Sequence, residues 1–109
     1  MKSGHTLHAF GYPAGAPYDG RDFTYCSGPI SGDSWNRNRT WAMDCRMTGG
    51  SSGGPWLSRF SESTASGTLS SVNSYTYSGL AKMHGPKFNS TTQTVYNSAN
   101  AAITNTIVP

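Results

Sequence analysis

The chain has 109 residues, of which 35% are hydrophobic, 12% aromatic and 12% charged, and its formal net charge is +3. This length supports one domain with a single modest core, and the aromatic content argues against disorder. The basic residues are too scattered for a nucleic-acid interface, and no apolar run is long enough to span a bilayer. The composition therefore predicts one polar, loop-rich β domain with neither nucleic acid nor membrane as a partner.

Short strands separated by turns are predicted along the first half of the chain. Residues 5–12 alternate apolar and polar side chains and end at Pro13, which predicts a strand that enters a turn. Residues 23–27 and 41–43 are predicted as the next two strands. Residues 28–40, rich in glycine, serine and asparagine, are predicted as the loop between them.

The second half continues with strands and closes with a helix. Residues 55–60 and 68–77 are predicted strands, the latter the longest in the chain, with a turn at 61–67 between them. Residues 79–83 are expected to pair with 68–77. The pattern is typical of an all-β antiparallel barrel or sandwich.

A terminal helix is predicted from residue spacing. Ser90 and Gln93 have the spacing of a capping box. One helical face then carries the apolar side chains Val95, Ala99, Ala102 and Ile103.

Two cysteines, Cys26 and Cys45, are separated by 18 residues. This spacing suits a disulfide and disfavours a metal site; a loop of this size would contribute about 3 kcal/mol to stability. A pair of buried thiols is the alternative. The low charge and the possible bridge favour a secreted protein, although residues 1–10 lack the apolar stretch of a signal peptide.

The segment MTGGSSGGPW, residues 47–56, is either a flexible linker or a reactive turn. Apolar segments flank it on both sides, which favours a packed turn. Glycines permit a positive φ, and consecutive N–H groups turned to one side can bind negative charge. Residues 50–54 also fit the G-x-S-x-G elbow of α/β-hydrolases, but that elbow needs a helix after the serine, and the glycines and Pro55 that follow oppose one.

The sequence GSSGGP at residues 50–55 resembles the GDSGGP signature of trypsin-like, chymotrypsin-fold serine proteases, and five of its six positions agree. Ser51 stands where many members have aspartate. That departure implies a different activation route, nearer to the bacterial glutamyl-endopeptidase-like branch.

The resemblance implies a fold for the whole chain. Residues 1–109 would form the C-terminal half of such a protease: an antiparallel Greek-key β-barrel, the second of two barrels, with a C-terminal helix at 93–105. The N-terminal barrel, which supplies the histidine and aspartate of the catalytic triad, would be missing from this chain.

The resemblance also assigns roles to residues. Ser52 would be the nucleophile, and the N–H groups of Gly50 and Ser52 would form the oxyanion hole, where losing a donor costs about 3 kcal/mol of barrier lowering. A polypeptide substrate and no cofactor or metal are implied. Two walls of the substrate pocket are expected, one from Arg46, Met47 and Thr48 and the other from Asn73, Ser74 and Tyr75.

Arg46 lies six residues before Ser52, where trypsin-type members have an acid. A basic residue there would favour acidic substrate side chains, whereas an exposed arginine with no such role is the alternative.

A catalytic base is not evident among the histidines. His5 and His8 precede Ser52 but lack the family's His-Cys motif, and His84 is expected to be exposed in a turn. Because a serine without a base is a weak nucleophile, the chain alone is expected to be an inactive fragment. The alternative function is a non-catalytic secreted barrel that binds protein or carbohydrate through its aromatic residues, Trp35, Trp41, Trp56, Tyr75 and Tyr77.

Overall fold

The computed structural model describes residues 1–104. Six strands are present in this part: β1 (Thr6–Gly11), β2 (Thr24–Gly32), β3 (Thr40–Asp44), β4 (Pro55–Ser61), β5 (Ser66–Val72) and β6 (Lys82–Pro86). A short 3-10 turn, Ser34–Asn36, connects β2 to β3, and helix α1 (Ser90–Ala101) follows β6. No helix within residues 1–104 is both long and apolar enough to cross a bilayer.

The six strands form one antiparallel sheet in the order β5-β4-β1-β2-β3-β6. The order 4-1-2-3 within it is a Greek key. The edge strands β5 and β6 meet, because the Ser71 hydroxyl donates to the Pro86 carbonyl at 2.7 Å and Gly85 lies against the Val72 carbonyl with no room for a Cβ. The predicted all-β antiparallel Greek-key barrel with a C-terminal helix is confirmed.

The core fills the inside of the barrel. Side chains alternate across a strand, so β1 turns Leu7 and Ala9 inward, where both are fully buried. Trp56 at the start of β4 is the largest fully buried side chain. The cluster is completed by side chains from the other strands and the segment after β3: Ile30, Trp41, Met43, Cys45, Met47 and Met83.

A disulfide joins Cys26 in β2 to Cys45, the residue after β3. The predicted bridge is therefore confirmed over the alternative of two thiols. It ties two neighbouring strands together next to the start of residues 46–54.

Three strand predictions differ from the structure. Residues 28–32, predicted as loop, extend β2, because residues 28 and 29 pair with β1 and residues 30–32 pair with β3, and this pairing overrides their composition. The strand predicted at 68–77 ends at Val72, which makes β2 the longest strand. Strand β6 forms its ladder with β3, and its contact with the earlier segment is the isolated bridge between Tyr75 and His84.

The N-cap of helix α1 lies one residue before the predicted cap, Ser90. Asn89 is the N-cap, and the capping box is formed by Asn89 and Thr92, not by the predicted pair Ser90 and Gln93. The apolar side chains of the helix do not pack, since Val95 and Tyr96 are both more than half exposed. The helix ends at Ala101, and Asn105, its predicted last residue, lies outside the described residues.

Removing the disulfide should lower the stability of the barrel. We expect the double variant Cys26→Ala/Cys45→Ala to lose about 3 kcal/mol in the free energy of unfolding, because the unfolded chain regains the entropy of an open loop. Urea unfolding followed by tryptophan fluorescence measures this. Reducing agent should destabilise the parent and leave the double variant unchanged; equal sensitivity of both would contradict the prediction.

Candidate active site

The two adjacent serines of the glycine-rich turn have different environments. Ser51 is 2% exposed, and its hydroxyl donates to the Thr48 carbonyl at 2.8 Å. Ser52 is exposed, and its hydroxyl makes no hydrogen bond with the part of the chain that the structure describes. Of the two, only Ser52 presents its hydroxyl to an incoming molecule.

Glycine is required at three positions of this turn. Gly50 and Gly53 have φ values of 102° and 83°, which side chains of L-residues rarely tolerate. A Cβ at Gly50 would lie 2.9 Å from the Ala14 Cβ, and one at Gly54 would overlap the Phe10 carbonyl oxygen. The glycines therefore set the backbone path and let it pack closely; they do not make it a linker.

The backbone N–H groups beside the exposed serine are available. Among residues 1–104, neither the Gly50 N–H nor the Ser52 N–H donates to an acceptor. The preceding residue is fixed, because the N–H groups of Ala14 and Gly15 both donate to the Gly49 carbonyl, at 2.8 and 3.1 Å. Fixed donors next to a nucleophile are what stabilisation of a developing oxyanion needs.

The side chain of Asn73 supports the turn from inside the protein. Its amide group donates to the carbonyls of Phe10 and Ser51 at 2.8 and 3.0 Å, and its oxygen accepts from the Trp56 indole N–H at 2.7 Å. Its backbone bonds to Gly53 and Gly54, both at 2.8 Å. Asn73 was predicted to contact substrate, but it is 1% exposed and its side chain has no free hydrogen-bonding group.

An open groove of about 560 Å³ runs beside Ser52. One side is the glycine-rich turn, and the other is aromatic, with Phe10, Phe23 and Phe60 in contact at ring distances of 5.5 and 5.1 Å. Phe23 is 63% exposed, and the neighbouring Tyr12 and Tyr25 are also more than half exposed. These five side chains are here called the aromatic face (Phe10, Tyr12, Phe23, Tyr25 and Phe60); Phe10 is buried and Phe60 half-buried beneath the three exposed rings. A cluster of exposed aromatic rings is typical of an interaction site.

A second pocket, of about 520 Å³, lies on the other side of the turn. Arg46, Met47 and Thr48, the residues predicted as one wall of a substrate pocket, line it, with Arg46 exposed and the Thr48 hydroxyl bonded to the Gly15 carbonyl at 2.7 Å. The opposite wall is residues 76–81 and not the predicted Asn73, Ser74 and Tyr75. Those three precede this wall and connect it to β5.

The three histidines differ in exposure and packing. His8 packs on Phe60 with ring centroids 5.0 Å apart, and His5 is exposed near the N-terminus. His84, predicted to be exposed, is 1% exposed, because it lies in β6 and stacks on Tyr75 at 4.8 Å. None of them makes a hydrogen bond with Ser52 within residues 1–104.

A buried carboxylate behind the second pocket was missed by sequence reasoning. Asp33 is 3% exposed and accepts hydrogen bonds from the hydroxyls of Tyr75 and Tyr77 at 2.6 and 2.7 Å, and from the Trp35 N–H at 3.0 Å. His84 Nε2 lies 3.9 Å away. The only local signal is the N-cap spacing of Asp33 to Trp35; no sequence pattern joins it to the tyrosines.

The hydrogen bonds decide the ionisation of this group. Burial by itself would raise the pKa of Asp33, but the donated bonds from Tyr75, Tyr77 and Trp35, with the charge of His84, lower its pKa below the usual value. The bond to the carboxylate, together with burial, raises the pKa of Tyr77. Asp33 is thus held as an anion and Tyr77 as a neutral donor.

Replacing the Asn73 amide should destabilise the protein. In Asn73→Asp, an acceptor would face the two carbonyls that now accept from the amide, so we expect a loss of about 3 kcal/mol or more in the free energy of unfolding. Thermal unfolding monitored by circular dichroism measures it. The matched control is Asn97→Asp on the exposed face of α1, which keeps an acceptor for Gln93 and should change stability by less than about 0.5 kcal/mol. A similar loss in both variants would refute the supporting role of Asn73.

Two solved structures of microbial proteases are similar to this chain. A protease named Anisep, from Arthrobacter nicotinovorans, is 40% identical with a TM-score of 0.83, and the match covers 94% of this chain and 46% of that protein. A thermostable serine protease from an extremophilic microorganism is also 40% identical, with a TM-score of 0.80 and coverage of 91% and 44%. Neither a protein-family model nor a curated protein matches the chain.

The chain spans slightly less than half the length of these proteases. The likeness to serine proteases that GSSGGP suggested is therefore found over nearly the whole chain and not only at the motif. In sequence and fold, this chain is similar to one β-barrel half of a chymotrypsin-like serine protease.

Proposed function

We propose that this chain is the C-terminal half of a secreted serine endopeptidase in which Ser52 is the nucleophile. The observation that carries the proposal is the turn itself, where an exposed serine hydroxyl lies beside two fixed backbone N–H groups without acceptors in the described chain. The similarity to two proteases supports it.

The proposed chemistry is acyl transfer. The Ser52 Oγ attacks the carbonyl carbon of the scissile peptide bond, and the N–H groups of Gly50 and Ser52 bind the oxygen that becomes negative. Collapse of the tetrahedral intermediate breaks the C–N bond and leaves an acyl-enzyme on Ser52, which water then hydrolyses. The Ser52 proton passes to a base and from there to the leaving amine.

The base and its orienting acid would come from the other half of the protease. None of the three histidines is bonded to Ser52, and the aromatic face next to Ser52 has the exposure and apolar character of a surface that another domain covers. We propose that the other half, a β-barrel carrying the histidine and aspartate, docks on the aromatic face and thereby completes the site.

The second pocket would receive the substrate side chain on the acyl side of the cleaved bond. Arg46 lines it and forms no ion pair within residues 1–104. Its charge would favour a glutamate or aspartate side chain, as in the glutamyl-endopeptidase-like branch. The disulfide fits secretion, since such bonds persist in oxidising compartments.

The test of the nucleophile is labelling by an organophosphonate. We expect weak or no labelling of this chain alone, and strong labelling of a chimera in which the chain replaces the similar segment of the Arthrobacter protease. Ser52→Ala should abolish labelling of the chimera, whereas Ser51→Ala should retain it because the Ser51 hydroxyl is committed to Thr48. Labelling that survives Ser52→Ala would refute the proposed nucleophile.

The same chimera distinguishes the alternatives. Strong labelling of the isolated chain, lost in Ser52→Ala, would overturn the view that the base lies elsewhere. A folded chimera that is neither labelled nor able to cleave peptides would favour the non-catalytic binding barrel.

The preference for acidic side chains can be tested on the active chimera. We expect Arg46→Gln to lower kcat/KM for a peptide with glutamate before the cleaved bond about tenfold, because a hydrogen bond to a charged group is lost. The matched peptide with glutamine should change little. Arg59→Gln in β4, which lines neither the groove nor the second pocket, is the control. A parent chimera that prefers lysine or arginine would contradict the assignment.

A further inference from the structure

The wall of the second pocket formed by residues 76–81 has little regular structure of its own. It connects β5 to β6, and two of its backbone bonds are short-range: the Leu80 N–H donates to the Tyr77 carbonyl at 3.2 Å and the Lys82 N–H to the Leu80 carbonyl at 2.9 Å. Its backbone bond to another part of the barrel is at its end, where the Ala81 carbonyl accepts from the Cys45 N–H at 3.2 Å. Gly79 within it has a φ of 79°. A segment with so few local constraints needs side-chain anchors to keep one position.

Those anchors converge on one carboxylate. The hydroxyls of Tyr75 and Tyr77 both donate to Oδ2 of Asp33, which lies on the loop after β2. Thr40 bonds to the same Tyr75 hydroxyl from β3, and since the Tyr75 proton is directed to Asp33, Thr40 is the donor of that pair. The pocket wall is thus tied to the body of the barrel.

Asp33 is itself rigidly held. Its other oxygen, Oδ1, accepts from the Trp35 N–H, and its backbone carbonyl accepts from the N–H groups of Asn36 and Asn38 at 3.0 and 2.8 Å. His84 lies on the remaining side, stacked on Tyr75 and perpendicular to Tyr77, with both ring centroids at 4.8 Å. These contacts hold the Asp33 carboxylate in one position, and it in turn holds the two tyrosine hydroxyls.

We infer that Asp33 is a positioning residue for substrate selection: by holding the hydroxyls of Tyr75 and Tyr77, it fixes residues 76–81 as one wall of the substrate pocket. It acts on the pocket wall and not on the reacting atoms, because the glycine-rich turn is held separately by Asn73. The substrate-selecting role rests on the proposed function, while the positioning of the wall can be measured without it.

The first measurement follows the wall directly in the chain as it exists. We expect Asp33→Asn to increase hydrogen-deuterium exchange of the Leu80 backbone amide, the hydrogen-bonded amide among residues 76–81, at least tenfold, and to leave the amides at 50–54 unchanged. An asparagine offers an N–H₂ group where one of the two carboxylate oxygens now accepts bonds. The matched control is Asp22→Asn, an exposed carboxylate before β2 whose side chain makes no hydrogen bond or ion pair within residues 1–104, and it should leave both segments unchanged.

The second measurement uses the chimera with the Arthrobacter protease. Asp33→Asn should raise KM about tenfold for peptides whose side chain fills the pocket, with kcat within twofold. The labelling rate by a small phosphonofluoridate, which leaves the pocket empty, should also stay within twofold. If Asp33→Asn does not fold, Tyr77→Phe removes one of the two hydroxyls and serves in its place. It should raise KM by a smaller factor and leave kcat and the labelling rate within twofold.

The outcomes separate the two proposals. Unchanged exchange of the Leu80 amide in Asp33→Asn overturns the inference whether or not the chimera is active. Faster exchange with an unchanged KM in an active chimera overturns the selecting role. An unlabelled parent chimera counts against the proposed protease, and the exchange result then decides the positioning of the wall by itself.

Discussion

The buried amide of Asn73 is the constraint on which the rest of the site depends. Its three side-chain hydrogen bonds join β1, the glycine-rich turn and β4, which are distant in sequence. Without Asn73, the polar atoms that it bonds would be buried without a partner. Because unpaired buried polar groups are costly, the network has one arrangement of low energy. A turn composed mainly of glycine and serine is held in a single backbone path by a residue outside it.

The difference between Ser51 and Ser52 follows from this arrangement. Once Asn73 binds the Ser51 carbonyl, the Ser51 side chain points inward to Thr48, and the next residue must emerge toward solvent. Two chemically identical residues thereby have different environments: the Ser51 hydroxyl is buried and hydrogen-bonded, and Ser52 is exposed. The glycines make the path possible, and the asparagine selects it.

Features coded by local patterns could be predicted from the sequence. The strands around Leu7 and Trp56, the terminal helix and the packed glycine-rich turn all follow from spacing within a few residues, and the antiparallel class follows from the short strands and turns. The cysteine pair could be predicted because two cysteines at this spacing in a polar chain leave few other uses.

Features coded by tertiary contact could not be predicted. Residues 28–32 look like a loop until partners on both sides complete their hydrogen bonds, and His84 looks exposed until Tyr75 covers it. The bond between Asp33 and Tyr77 joins residues 44 positions apart, so no window of sequence contains both. The role of Asn73 is hidden for the same reason.

The disulfide is part of the second pocket. Cys45 belongs to the lining of the second pocket and directly precedes Arg46, so the covalent bond to Cys26 in β2 anchors one wall of that pocket. In a reducing cell interior this anchor is absent, and the arginine is displayed on a looser segment. Formation of this bond in an oxidising compartment therefore fixes the pocket wall that carries Arg46.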